Sequence, residues 1–173
     1  MLAEYGSDVY KIVLVLHILC AIVGFGAVVL NAIYGQQAKS HKGPEGLAIA
    51  QANFLVSKIG EYFIYAVFLL GVALVLIGDP VNKFGQTWIW LAMTVFIAAL
   101  GISHGLLTPR VKRLIALMTE LNAMGPPAAG ATGPPPQVLE METVGKQVGI
   151  FGAILNVMLV TILSLMVFKP GLG

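Results

Sequence analysis

The chain has 173 residues, of which 58% are hydrophobic and 10% charged, with a mean hydropathy of +0.90. A water-soluble domain carries roughly 25% charged residues, so this composition excludes a soluble globular fold and points to a membrane protein. The net charge of +2 is too small to suggest nucleic acid, and the single cysteine, Cys20, excludes an internal disulfide.

Met1 to Tyr10 is short and mildly acidic. It lacks the basic start and small-residue cleavage site of a signal peptide, so the first apolar helix is expected to be retained. That span covers about 12–34. His17, Gly24 and Asn31 are spaced by seven within it and fall on one helical stripe, poorly suited to lipid. Gly35 to Gly43 reads as a polar connection. Pro44 suits the first turn of a second helix, with no breaker until Gly78. That helix is longer than the hydrocarbon layer, so its spanning part is about 59–77 and its start projects from the membrane or lies along it.

Gly78-Asp79-Pro80 is a turn. Trp88 and Trp90 stand where an interfacial aromatic belt would begin. The third span is about 88–107. Beyond it, Leu114, Leu117, Met118 and Leu121 recur at three- and four-residue spacing and predict a short amphipathic helix. Residues 125–136 (GPPAAGATGPPP) form a low-complexity linker. The fourth span is about 148–168. Gly145, Gly149 and Ala153 make successive small-xxx-small steps along it, with Gly152 and Asn156 on an adjacent strip, a pattern that admits close helix approach in lipid. The expected fold is all-α, a single domain over 1–173: a four-helix transmembrane bundle with amphipathic cytoplasmic helical extensions. Lys39, Lys42, Lys58, Arg110, Lys112, Arg113 and Lys146 lie on one side and Lys11, Lys83 and Lys169 on the other. The positive-inside rule then puts both termini outside.

Alternating direction sets approximate depths. Asn31, Tyr34, Lys58, Glu61, Tyr62, Ser103 and His104 fall toward the inner side, with Glu61 and His104 both about 9 Å from the midplane. Asn156 falls near the centre. Lys58 and Glu61, three apart, can pair on one face, and Glu61 and His104 are expected to pair across helices. The group is either a proton-handling or ligand site, or a polar clasp that orders the bundle. On the outer side, His17 and Cys20 share a face, and Met93 and Met166 reach a similar depth. His, Cys and Met suit a soft metal such as Cu(I), and a His–Met pair suits haem. No HExxH, P-loop, GxGxxG, GxSxG or CxxC motif is present.

The Lys11–His17 spacing, the GFGAVVLN stretch, the EYFIYA stretch around Glu61 and the closing LMVFKPG resemble a family of bacterial predicted integral membrane proteins of unknown function. More distantly, the early His of the first span is similar to that of haem-carrying membrane protoporphyrinogen oxidases and copper-resistance D membrane proteins. The resemblance implies a bacterial inner-membrane protein in which His17 would be the residue serving haem b. With no catalytic signature, the leading expectation is a non-enzymatic accessory or scaffolding subunit, in contact with lipid and with other subunits or a second copy of itself. A haem b protein, or a small copper- or proton-linked transporter, is the alternative.

Overall fold

The computed structural model describes residues 7–78, 84–125 and 133–171. They form α1 (Asp8–Ser40), α2 (Pro44–Ile77), α3 (Thr87–Ile102), a π-helical segment (Ser103–Leu107), α4 (Thr108–Met124) and α5 (Pro136–Phe168). The third rod runs unbroken from Thr87 to Met124, so four helices of 33, 34, 38 and 33 residues are long and apolar enough to cross a membrane. Each is about 50 Å or more in length, against a hydrocarbon core of about 30 Å. The fold is an all-α four-helix bundle.

Local chemistry explains the ends. Ser7 caps α1 by accepting the Tyr10 N–H, and Asp8 adds negative charge to its first turn. The polar stretch expected as a loop after the first span is helical as far as Ser40, because nothing between Gly35 and Lys39 stops it. His41 ends the helix, with its N–H bonded to the Gln37 carbonyl. Pro44 and Pro136 stand at the first positions of α2 and α5, where a missing N–H costs nothing. Pro136 therefore belongs to α5 and not to the linker. Residues 126–132 of that linker, and Asp79 and Pro80 of the expected turn, lie outside the described residues.

The amphipathic segment after the third span is the direct continuation of that span. Its Leu117 is fully buried. The junction is π-helical, with the Thr108 N–H bonded five residues back to the Ser103 carbonyl. Pro109 explains the irregularity. In a regular helix its ring would collide with the carbonyl four residues back, at Gly105, and it has no N–H to offer. A π turn absorbs both defects.

Around the bundle, α1 packs most extensively on α2, and α3 and α4 pack on α5. α1 also meets α5, and α2 meets α4. The α1–α2 seam is narrow because small residues line it. A Cβ on Gly24 would sit 3.0 Å from Ile64 Cγ1, one on Gly60 would sit 2.6 Å from the Ala27 Cβ, and one on Gly71 would sit 3.2 Å from the His17 ring. The α2–α3 seam is the opposite. No Cα of α2 comes within 8 Å of one in α3 or the π segment among the described residues. Aromatic rings fill the gap, Phe68 on Phe96 at 5.3 Å between centroids and Tyr65 on His104 at 6.0 Å. Val67, Phe96 and Ile162 form the central apolar cluster, joined by Cys20, Ala21, Phe25, Ile64, Phe68, Val95 and Leu100.

Trp88 does not belong to an aromatic belt. It is buried (6% exposed) beneath Lys169, whose Nζ lies 5.2 Å from its ring, whereas Trp90 is half exposed. The two residues lie about 200° apart on a helix, so one faces the end of α5 and the other faces out.

Candidate functional site

The wide α2–α3 seam holds a connected set of polar side chains. Lys58, Glu61 and Tyr65 follow one another at spacings of three and four on α2, so they share a face. His104 approaches them from the π segment. Glu61 uses both oxygens. Oε2 accepts from Lys58 Nζ at 2.8 Å, and Oε1 accepts from Tyr65 Oη at 2.7 Å and lies 2.9 Å from His104 Nε2. Tyr65 Oη is also 2.6 Å from His104 Nε2, and His104 Nδ1 is 2.9 Å from the Leu100 carbonyl. A carboxylate and an imidazole at this depth are costly alone; here each is held by at least two partners. The π turn matters to this arrangement, since it sets the azimuth of His104 at the point where the helix leaves regular geometry.

Tyr65 is the member that sequence reading leaves out. Its signal was present: it lies four residues after Glu61 and seven after Lys58, on the same stripe. Tyr62 is 74% exposed and Tyr34 is also exposed, so neither joins the set. Ser103 begins the π segment.

The other polar residues of the inner group go elsewhere. Asn31 lies on the α1–α2 seam, where its Oδ1 accepts from Ser57 Oγ at 2.9 Å and its carbonyl accepts from Asn53 Nδ2 at 3.4 Å. Asn156 turns back on its own helix and donates to the Gly152 carbonyl at 2.9 Å. The expected cluster is thus three separate features: a connected set of Lys58, Glu61 and His104 with Tyr65, an interhelical clasp at Asn31, and a self-satisfied Asn156.

The outer group is dispersed. The His17 ring packs against Gly71, and its Nδ1 is buried without a hydrogen bond of ordinary geometry, although the Val67 backbone is on that side. Cys20 is packed into the apolar cluster around Val67, Phe96 and Ile162. Met93 is half-buried, and Met166 is 38% exposed. No group of three or more His, Cys, Asp or Glu suited to a metal ion occurs among the described residues. With one imidazole against a neighbouring backbone, its cysteine in the core and one methionine facing outward, these residues do not fit a haem b or copper site.

Of the glycines proposed for helix packing, Gly24 meets α2 closely. Around Gly145, Gly149 and Gly152 a Cβ would find nothing within 4 Å among the described residues, so none of the three is in close contact with another helix there. At the same level, through Gln147 and Phe151, and nearer its start, at Glu140, α5 is tied to the third rod by polar contacts. Arg110 Nε donates to Gln147 Oε1 at 2.7 Å, its guanidinium lies 4.8 Å from the Phe151 ring, and Nη1 donates to the Leu106 carbonyl. Arg113 holds Glu140 bidentately at 2.7 and 2.8 Å. That hydrogen bonding keeps the Glu140 carboxyl below, and the Arg113 guanidinium above, their ordinary ranges.

Compared with known proteins, the chain matches no family model, no curated protein and no solved structure. Its function is therefore argued from its own residues.

Proposed function

We propose that this protein is a non-enzymatic multi-pass membrane subunit that joins a larger membrane assembly through α5, with its Lys39 and Arg113 end in the cytoplasm. The observation that carries this reading is the open space beside Gly145, Gly149 and Gly152. Where the chain has its own partner helix, at Gly24, Gly60 and Gly71, its glycines are in tight contact. On α5, Gly149 is exposed and Gly145 and Gly152 are half-buried, and all three leave open space where a Cβ would stand. Each glycine in a helix costs about 1 kcal/mol relative to alanine, and close packing against another membrane helix returns that cost. The occupant this surface fits is a membrane-spanning helix of another subunit, with small residues at the contact.

Extraction in a mild detergent followed by native mass spectrometry tests the proposal. The expected result is a complex of this chain with a second membrane protein, released by Gly149→Leu without loss of helical content. Recovery of wild-type protein only as a lone monomer refutes it, and recovery only as a homo-oligomer refutes the hetero-assembly. An absorption spectrum of the same sample reads haem directly; a Soret band lost in His17→Ala would replace this reading with the cofactor one.

A further inference from the structure

The hydrogen-bond set between α2 and the π segment has a proton requirement. A carbonyl only accepts, so His104 Nδ1, 2.9 Å from the Leu100 carbonyl, carries a proton. In a neutral ring Nε2 is then a bare acceptor. Three contacts close a triangle: Tyr65 Oη to Glu61 Oε1 at 2.7 Å, Tyr65 Oη to His104 Nε2 at 2.6 Å, and Nε2 to Oε1 at 2.9 Å. The phenol supplies one proton and can fill one side. With an ionised Glu61 and a neutral His104, the Nε2–Oε1 side would set lone pair against lone pair at hydrogen-bond distance. One further proton, on Nε2 or on Oε1, removes that repulsion.

We propose that Glu61 and His104 share one exchangeable proton and form a proton-binding site that opens toward the basic end of the bundle and is closed toward the other. Transfer within the site moves the proton from Nε2 to Oε1, converting an imidazolium–carboxylate pair into a neutral pair, and release to water leaves a neutral ring and a carboxylate. Among the described residues, the charged and titratable groups around it are few. Lys58 holds Oε2 at 2.8 Å, Tyr65 completes the triangle, and Tyr62 on α2 faces outward. Arg110 of α4 is committed to Gln147 of α5 and to Leu106. From α1, the residue opposite this level is Ala27, which packs on Gly60. Lys58 stands one turn nearer the basic end than Glu61 and binds it at 2.8 Å, and its long side chain can carry the ammonium toward the water at that end, which provides the exit. Toward the far end, Phe68 stacks on Phe96 over Val67 and Ile162. His17 lies beyond that layer on Gly71, about 15 Å from the Glu61 level along the axis.

Full-length protein with isotope-labelled histidine in lipid nanodiscs tests the site at neutral pH. NMR counts protons on the His104 ring, and infrared absorption detects a protonated Glu61 carboxyl. The expected result is one extra proton on either group, lost in Glu61→Gln and kept in Tyr65→Phe. A wild-type ring protonated only on Nδ1 beside an ionised Glu61 overturns the proposal, as does an extra proton that survives Glu61→Gln. The wild-type measurement decides alone if Glu61→Gln does not fold. In proteoliposomes of one orientation, an alkaline step on the Lys39 and Arg113 face is expected to remove the signal. Removal from the opposite face, or from neither, overturns the one-sided access.

Discussion

Gly60→Ala is the sharpest probe of the α1–α2 seam. The added Cβ would lie 2.6 Å from the Ala27 Cβ, whereas carbon atoms in good contact lie about 3.5–4.0 Å apart. The helices must separate by about 1 Å there, or the backbone must shift. Overpacking of this kind costs about 1–3 kcal/mol, and alanine returns about 1 kcal/mol of helix propensity. The expected net loss is on the order of 1 kcal/mol. Ala27→Gly removes the opposing carbon, so the double variant should return close to wild-type stability, with a coupling energy of about 1–3 kcal/mol. Reversible unfolding in mixed detergent micelles, followed by helical circular dichroism, measures all four corners. A stabilising Gly60→Ala, or a coupling under about 0.5 kcal/mol, would refute the argument that small residues set this seam. Gly149→Ala is the internal control: with no neighbour of its own chain within 4 Å, it should gain up to about 1 kcal/mol in the isolated monomer.

Arg110→Lys loses the planar group that serves Gln147, Leu106 and Phe151 together. It should loosen α5 from the third rod by about 1–2 kcal/mol, read in the same unfolding assay. Asn156→Leu should change stability by less than about 0.5 kcal/mol, because its side chain bonds only to its own helix; a large loss would show an interhelical partner. The Arg113–Glu140 pair makes the α4–α5 end sensitive to acid. Because the folded Glu140 carboxyl is depressed, the contribution is present above its unfolded value and is lost as pH falls through the folded one. Hydrogen exchange at the starts of α4 and α5 should rise on that descent, and Arg113→Gln should abolish the pH dependence.

The helices were legible in the sequence because a membrane span is written as an uninterrupted apolar run, and their true ends were missed where polar residues keep helical geometry. Gly35 to Lys39 looks like a loop by polarity, yet contains no stop, and α1 continues to Ser40. Depth was also legible. Counting residues from the span ends puts Glu61 and His104 at one level, and they meet at 2.9 Å. Azimuth was not. Asn31 lies toward the same end of the bundle as Glu61, but faces α2 at Ser57 and Asn53, and Asn156 faces its own backbone. A spacing rule would have found Tyr65, which the face shared with Lys58 and Glu61 requires.

The small residues show the deeper reason why one chain's sequence stops short of its packing. The His17, Gly24, Asn31 stripe of α1, at spacing seven, and the Gly145, Gly149, Ala153 stripe of α5, at spacing four, each put glycine on one face of a spanning helix. One lies tight against α2 and the other opens outward. A glycine stripe states that a helix can be approached closely, and it does not say by which helix. In water the apolar partner would be chosen by burial, since exposing it is costly. In lipid both sides of α5 are equally well solvated by hydrocarbon, and shape alone discriminates. The α1–α2 seam is narrow because glycine, alanine and a flat imidazole fit there together. The α2–α3 seam stays wide because Phe68, Phe96, Tyr65 and His104 must fit between the backbones. That width gives the polar set its room, so the placement of Glu61 beside His104 follows from where the rings are as much as from where the charges are.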